Sequence, residues 1–167
     1  GLVPFVYPLS NNQYEVGRIK CVFASDGSNY NLHKEVVEVK KDDIVVVFTH
    51  DCEGKALLGE LVTKYLFEVK QIKALVIHGA IRDVDAILTK PYKIWCNKRT
   101  PIGCVNHPTK DFPKDNRKEL YQKYEGAILV CDSTGVIAIP KEFSVEEVIQ
   151  RLENICNKED IWLYCLE

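Results

Sequence analysis

An arginine and an aspartate stand side by side at Arg82 and Asp83, shortly after a segment that has the pattern of a buried strand. Residues 74–77 are apolar and of strand length, and Gly79 indicates a turn. Both charged residues are therefore predicted just past a strand end, where open α/β folds bind ligands. A guanidinium matches a carboxylate or phosphate, and a carboxylate matches a hard divalent cation. The pair could hold an anionic substrate and a metal ion together.

The same pair also has an ordinary structural interpretation. Asp83 could be the N-cap of a short helix, and Arg82 could be a surface cation. The elements that position the two residues decide between the interpretations.

The segment before this pair is predicted to form a β-α-β unit. Residues 44–48 are apolar on both faces, which predicts a central, buried strand. Residues 49–54 would form a loop, and a helix is predicted to begin near Lys55. Its apolar residues recur at the spacing of one buried helical stripe: Leu57, Leu58, Leu61, Val62, Tyr65, Leu66, Val69 and Ile72.

The start of that helix would lie at the same end of the sheet as Arg82. The first N–H groups of a helix have no partner within it and carry the positive end of its dipole. Backbone amides around Gly59, Leu61 and Val62 could therefore grip a carboxylate that Arg82 also binds. For those amides to be available, a helix must break or start afresh near Gly59.

The rest of the chain is predicted to complete a single α/β domain, residues 1–167, with an extended lead-in at 1–17 and a C-terminal tail at 157–167. Further strands are predicted at 17–24, 92–96 and 102–106, and a hairpin at 127–131 and 135–139. Helices are predicted at 30–39, 84–88 and 144–156, the last with a capping box. Residues 97–101 would form a turn and 107–125 a polar excursion from the core. Residues 161–164 are apolar enough to dock on some other surface.

Composition restricts the classes of partner. The chain has 167 residues, of which 46% are hydrophobic and 28% charged, and its formal net charge is -2. This balance argues against a nucleic-acid surface built on phosphate neutralisation, and no stretch is long and apolar enough to cross a membrane. A small anionic metabolite needs only one local cationic site and stays compatible.

The nucleophilic side chains give a weaker signal. Seven cysteines are scattered without a Cys-x-x-Cys pair, which favours reduced thiols in the cytoplasm over disulfides or a zinc site. His50 and Cys52 lack an orienting third group, and Lys55 or Lys64 could form a Schiff base only if desolvated.

Four segments occur in the order in which they mark a known family: Ala-Leu-Leu-Gly-Glu at 56–60, Val-Ile-His-Gly-Ala-Ile-Arg-Asp-Val at 76–84, Arg-Thr-Pro at 99–101, and Cys-Asp-Ser-Thr-Gly-Val-Ile-Ala-Ile-Pro at 131–140. With these segments the chain resembles the family of 4-hydroxy-4-methyl-2-oxoglutarate (HMG/CHA) class II aldolases and the regulator of ribonuclease activity A. A single short motif can arise by chance, whereas an ordered set is far more specific.

The resemblance implies a swivelling β/β/α fold that assembles as a trimer or a pair of trimers, a homo-oligomer with sites between subunits. In the aldolase branch, the arginine at the position of Arg82 binds the carboxylate and oxygen of the pyruvyl group, and the aspartate at Asp83 anchors Mg²⁺ or Mn²⁺. The acidic residue at Glu60 positions the water for proton transfer. The amides that follow Gly59, at Leu61 and Val62, cradle the carboxylate.

The sequence departs from the family pattern in several places. Glu60 and Arg82 are separated by one residue more than the pattern has, and an insertion within the helix would rotate Glu60 by about 100°. Leu61 stands where the family often has Asn, and His78 where it often has Asp. The aldolases also take a carboxylate from the C-terminal region of a neighbouring subunit, for which Glu153 and Glu159 are candidates.

Two classes of function follow from the resemblance. The first is a divalent-metal-dependent lyase that cleaves 4-hydroxy-2-oxo acids to pyruvate and decarboxylates oxaloacetate, because both reactions pass through the pyruvate enolate. The second is a non-catalytic oligomer that binds protein partners, as the ribonuclease regulators do. One fold can host both functions, so the site must separate them.

Overall fold

The computed structural model describes residues 6–166, and within them one mixed sheet organises the chain. Its strands are Tyr7–Pro8 (β1), Glu15–Ser25 (β2), Ile44–His50 (β3), Ala56–Leu58 (β4), Ala74–Ile81 (β5), Ile94–Arg99 (β6), Ile128–Cys131 (β7) and Val136–Ile139 (β8). The spatial order is β1-β6-β5-β3-β2-β7-β8, with β4 paired to β5. Strands β2 to β6 pair in parallel, and β1, β7 and β8 join the sheet antiparallel.

The centre of the sheet is buried on both faces, as the apolar run at 44–48 predicts. Val45 and Val47 point into one core, and Ile44 and Val46 point into the other, because side chains alternate along a strand. The first face is covered by the short helices Tyr30–Glu35 (α1), Glu60–Lys64 (α2) and Val84–Leu88 (α3). The second face is covered by the helix Lys114–Tyr124 (α4) and the β7–β8 hairpin.

The predicted helix start near Lys55 is wrong. Ala56–Leu58 forms the short strand β4, and α2 begins only at Glu60, after Gly59. Leu57 and Leu58 are both fully buried, so this run is apolar on two opposite faces, which suits a strand in a sheet better than one helical stripe. The fresh helix start at Gly59 that the amide hypothesis required is therefore present.

The predicted turn at Gly79 is also wrong, because β5 continues to Ile81 with a register irregularity between Ile77 and Ala80. A Cβ atom at Gly79 would lie 2.9 Å from Cγ2 of Thr49 on the neighbouring strand. The glycine thus permits a close approach within the sheet rather than a reversal of the chain.

Three further predictions need correction. The strand predicted at 92–96 and the turn at 97–101 are replaced by β6, which runs to Arg99 and stays paired with β5. Residues 102–106 form isolated bridges, at Gly103 and Val105, instead of a strand. The polar excursion at 107–125 contains helix α4, whose last residue Tyr124 is buried in the second core together with Phe112, just before the helix.

The C-terminal part is a single long helix. The hairpin is confirmed, and Val145–Leu166 forms helix α5, so the prediction that the helix ends at Cys156 is wrong. The predicted capping box is confirmed, since the Glu147 N–H donates to Ser144 Oγ at 3.1 Å and the Ser144 N–H donates to Glu147 Oε2 at 2.8 Å. The side chains of residues 161–164 are exposed and do not dock on the body of their own chain. None of the helices in the described part of the chain combines the length and apolar character that crossing a membrane requires.

Candidate functional site

Asp83 follows β5 directly and adopts a left-handed backbone conformation, with φ 58° and ψ 34°. Aspartate tolerates this region better than most residues do. The turn directs the carboxylate away from α3, for which Asp83 occupies the N-cap position without a side-chain capping bond. Its Oδ2 instead accepts a hydrogen bond at 3.1 Å from the backbone N–H of Glu60, at the start of α2. Asp83 therefore joins two elements, which a plain N-cap would not do.

Arg82 lies across the junction between β4 and α2. Its backbone N–H donates to the carbonyl of Leu58 at 3.0 Å, which ties the end of β5 to the end of β4. Its Nε lies 3.6 Å from Asp83 Oδ2, and both side chains are about half exposed, at 47% and 46%. A contact of this exposure adds little stability. The pair is thus available to a ligand.

Two glycines make room for the Arg82 side chain. A Cβ atom at Gly59 would overlap Asp83 Oδ2 and come within 3.1 Å of the Arg82 Nε. A Cβ atom at Gly103 would overlap the Arg82 Nη1 and lie 3.4 Å from its Cζ. The guanidinium therefore rests on backbone at both positions, and its location depends on the absence of side chains there.

Arg82 and Asp83 lie between two cavities. The larger, about 650 Å³, is lined also by Glu60, Asp85, Arg99, Thr100 and Pro101. The smaller, about 330 Å³, lies on the other side and is lined by apolar and amide groups that include Leu61, Val62 and Asn29. Charged groups of both signs therefore face the larger cavity, where a polar anion and a cation could be bound side by side.

The start of α2 offers backbone donors beside Arg82. Leu61 and Val62 belong to its first turn, where N–H groups have no partner four residues back. The Glu60 N–H is already taken by Asp83, and the Thr63 N–H is bonded to the carbonyl of Gly59. Leu61 and Val62 therefore remain as the donors that the sequence predicts.

Helix α2 passes into a π-helical turn, Tyr65–Val69, in which the Lys70 N–H donates to the carbonyl of Tyr65 at 3.0 Å. A turn closed between residues five apart contains one residue more than an α-helical turn. This turn lies after Glu60, so it can take up an additional residue without rotating the start of the helix.

The Asp83 carboxylate suits a hard cation that takes few ligands from the protein. In the described part of the chain, no three His, Cys, Asp or Glu side chains are grouped closely enough to hold a metal. Magnesium, however, is commonly bound by one or two carboxylates and keeps several water molecules. The half-exposed Asp83 carboxylate at a polar cavity fits that mode of binding, whereas the site does not fit zinc.

The other nucleophilic residues are placed elsewhere. Cys52 is buried, which raises the pKa of its thiol, and its Sγ lies 3.2 Å from the backbone carbonyl of His50. The His50 ring faces Asp51, with Nδ1 and Oδ2 3.3 Å apart, so no thiol–imidazole pair forms. Lys55 and Lys64 line neither of the two cavities around Arg82.

His78 and the two C-terminal glutamates also lie outside the linings of these cavities. Burial lowers the pKa of His78, and its backbone carbonyl accepts a hydrogen bond from Thr49. Glu153 and Glu159 are exposed on α5. Within one chain, they are not brought to Arg82 and Asp83.

Sequence reasoning gave no role to Gly103, Asp85 or Arg99. Arg99 belongs to the Arg-Thr-Pro segment at 99–101. It lies beside Arg82 because Arg99 on β6 pairs with Ile81 on the neighbouring strand β5. Gly103 and Arg82 are far apart along the chain, so no local sequence pattern predicts their contact.

Comparisons with known proteins agree with this architecture. The family model described as "RraA-like: Aldolase/RraA" matches residues 3–138. A protein of Halalkalibacterium halodurans named "Putative 4-hydroxy-4-methyl-2-oxoglutarate aldolase" is 29% identical over 157 residues, which cover 90% of this chain and 70% of that protein.

Solved structures show the same fold at lower identity. Streptomyces coelicolor RraAS2, titled an unusual member of the RNase ES inhibitor RraA protein family, superposes with a TM-score of 0.76 at 20% identity and covers 98% of this chain and 84% of its own. The RNA-processing inhibitor RraA from Thermus thermophilis gives a TM-score of 0.63 at 20% identity, with 85% of each chain covered. The predicted α/β fold class is confirmed.

Proposed function

Because the chain belongs to the RraA-like family of aldolase and RraA proteins, we propose that it is a divalent-metal-dependent lyase. It would cleave 4-hydroxy-2-oxo acids to pyruvate by a retro-aldol reaction and would decarboxylate oxaloacetate. One observation carries the proposal: Arg82 and Asp83 lie together at a polar cavity, beside the first-turn amides of α2. The name of the Halalkalibacterium relative agrees with this chemistry.

Arg82 would bind the carboxylate of the 2-oxo acid through its guanidinium, and the amides of Leu61 and Val62, next to Gly59, would donate to the same group. Asp83 would hold Mg²⁺ or Mn²⁺, which supplies positive charge for the oxygen that becomes negative in the enolate. The two charged residues separate the tasks of holding the substrate and of holding the cation.

In the cleavage step, the 4-hydroxyl group loses a proton, the C3–C4 bond breaks, and its electrons form the enolate of pyruvate. A proton delivered to C3 then completes pyruvate. Glu60 would orient the water that moves these protons, since its side chain lines the larger cavity and its backbone is fixed to Asp83 at 3.1 Å. Loss of carbon dioxide from oxaloacetate yields the same enolate.

A second function is favoured by a different observation. The solved neighbours RraAS2 and the Thermus RraA are titled as an RNase inhibitor family member and an RNA-processing inhibitor. Among residues 6–166, Asp83 does not belong to any group of three or more His, Cys, Asp or Glu side chains that could hold a metal ion. A non-catalytic oligomer that binds protein partners is therefore the alternative. In either case we propose a cytoplasmic homo-oligomer, a trimer or a hexamer, that binds neither nucleic acid nor membrane.

Release of pyruvate from oxaloacetate by the purified chain tests the proposal, with Mg²⁺ or Mn²⁺ and then with excess chelator. The Asp83→Asn variant keeps a side chain that tolerates the left-handed backbone but loses the charge that holds the cation. We expect it to lose activity on the order of a hundredfold or more, because a bound cation contributes several kcal/mol of charge stabilisation.

Asp42→Asn is the matched control. Asp42 also has a positive φ, 67°, but lies in an exposed turn away from Arg82. It should retain wild-type activity. Full metal-dependent activity in Asp83→Asn would contradict the metal role of Asp83. A wild-type oligomer without any turnover would make the binding protein the better assignment.

A further inference from the structure

The smaller cavity beside Arg82 adjoins an apolar groove on the outside of the chain. The cavity has a volume of about 330 Å³, and the groove, between α1 and α2, has a volume of about 340 Å³. The groove is lined by His33, Val36, Val37, Leu61, Val62 and Tyr65. Three of these residues, His33, Leu61 and Val62, also line the cavity. Each space is large enough to take part of a small organic ligand.

Arg82 lies at the inner end of this pair of spaces, and Leu61 lies at the wall between them. Arg82 lines the cavity but not the groove, whereas Leu61 lines both. A 2-oxo acid whose carboxylate is held by Arg82 would therefore have apolar side chains next to the atoms beyond its oxo group. These apolar walls favour an apolar substituent on the substrate, because its burial removes apolar surface from water.

Few charged side chains line the cavity and the groove. Apart from Arg82, the lining residues of the two spaces within 6–166 include no lysine or arginine. Lys34 and Lys64 stand on the flanking helices but belong to neither lining, and the Lys34 Nζ lies 4.2 Å from the centroid of the Tyr30 ring. Since Arg82 is assigned to the first carboxylate of the substrate, the described lining offers no further fixed cation for a second one.

The larger cavity does not favour a second carboxylate either. Glu60 and Asp85 both line it and carry the same sign of charge as such a group. Its other cation is Arg99, whose Nη2 donates a hydrogen bond to the carbonyl of Leu9 at 3.0 Å. A substrate with a second carboxylate would meet acidic side chains on one side of Arg82 and apolar side chains on the other.

We propose that this site selects 2-oxo acids that have a single carboxylate and an uncharged, apolar substituent at C4, and that Leu61 is a specificity-determining residue. The inference deepens the proposed function and rests on the assignment of Arg82 to the carboxylate. Cleavage of such a 4-hydroxy acid breaks the C3–C4 bond. The 4-hydroxyl group loses its proton and becomes the carbonyl of an apolar aldehyde, and the enolate takes up a proton at C3 to give pyruvate.

Two ligands that cannot be cleaved separate selection from chemistry. The compounds 2-oxo-4-phenylbutanoate and 2-oxoglutarate share atoms C1 to C4 and differ in the phenyl or carboxylate group that follows. Titration calorimetry of the full chain with saturating Mg²⁺ should give a Kd at least about tenfold lower for the phenyl compound, because covering an aromatic ring stabilises the complex. An equal or lower Kd for 2-oxoglutarate would overturn the proposal.

Leu61→Lys tests the residue that is held responsible. It places a cation at the wall between cavity and groove, at a position that is 81% exposed, and should reduce the preference for the phenyl compound several-fold. Val69→Lys is the matched control, because Val69 is 66% exposed in the π-helical turn that continues α2 and lines neither space. It should bind both compounds as wild type. Arg82→Ala should weaken both equally, since they share the 2-oxo acid group. An unchanged preference in Leu61→Lys refutes the role of Leu61.

Turnover extends the test to cleavage. The kcat/KM for pyruvate release is measured with 4-hydroxy-2-oxo-4-phenylbutanoate and with 4-hydroxy-2-oxoglutarate, and the ratio is compared between wild type and Leu61→Lys, so that the intrinsic reactivities of the two substrates cancel. The ratio should fall several-fold in the variant. If no substrate, including oxaloacetate, releases pyruvate while the phenyl compound still binds more tightly, the lyase assignment is wrong and the selectivity stands. Pyruvate release by a chain that binds 2-oxoglutarate as tightly as the phenyl compound leaves the lyase standing and refutes the selectivity.

Discussion

The position of the Arg82 guanidinium depends on a residue that takes no part in the chemistry, and Gly103→Ala tests this dependence. A Cβ atom at Gly103 would overlap the Arg82 Nη1. Gly103 has no positive φ, so alanine fits its backbone, and the substitution acts through the overlap alone. The guanidinium must then move by about an ångström, and a displacement of that size can cost about a hundredfold in rate.

The measurement is kcat/KM for pyruvate release from oxaloacetate, with saturating Mg²⁺, for Gly103→Ala, Arg82→Ala and the double variant. We expect a loss of about a hundredfold in Gly103→Ala with little change in thermal unfolding. The double variant should be no worse than Arg82→Ala, because residues that act through one group are not additive. Full activity in Gly103→Ala, or a further loss in the double variant, would refute the reasoning.

Two other predictions concern the body and the helix. Burial lowers the pKa of His78, so the folded chain holds this imidazole neutral while the unfolded chain takes up a proton near pH 6.5. The free energy of unfolding, measured in urea, should therefore fall as the pH drops from 7.5 to 5.5. In His78→Gln this fall should be smaller. Ser144→Ala removes the oxygen that caps α5 at 3.1 Å and should lower helix stability by about 1 kcal/mol, measured by circular dichroism, whereas exposed Ser133→Ala should not.

Hydrophobic pattern alone predicts the central strands, because burial on both faces leaves an unbroken apolar run at residues 44–48. The same rule explains why residues 56–58 are predicted as part of a helix although Ala56–Leu58 is a strand. This short buried strand continues in phase with the apolar positions of α2, so one helical stripe describes both elements. Gly59 marks the true boundary, and its signal is visible in the sequence.

The site is predictable where its residues are neighbours in the chain or where the β-α-β unit brings a helix start and a strand end together. Arg82 and Asp83 follow one strand, and their type and position suffice to select them. The contact of Gly103 with Arg82 arises from tertiary packing, and the left-handed conformation of Asp83 from the turn between β5 and α3. Local spacing carries neither piece of information.

Glu60 and Arg82 are separated by one residue more than in the family pattern that the sequence resembles. An insertion within α2 would turn Glu60 by about 100° away from the cavity. The hydrogen bond from the Glu60 N–H to Asp83 instead fixes the start of α2, and the wider turn at Tyr65–Val69 follows it. Because the helix is anchored before the wider turn, that turn can take up one more residue without rotating Glu60, which lines the cavity beside Arg82. The choice between lyase and binding protein therefore depends on whether Asp83 holds a cation, rather than on the register of the helix.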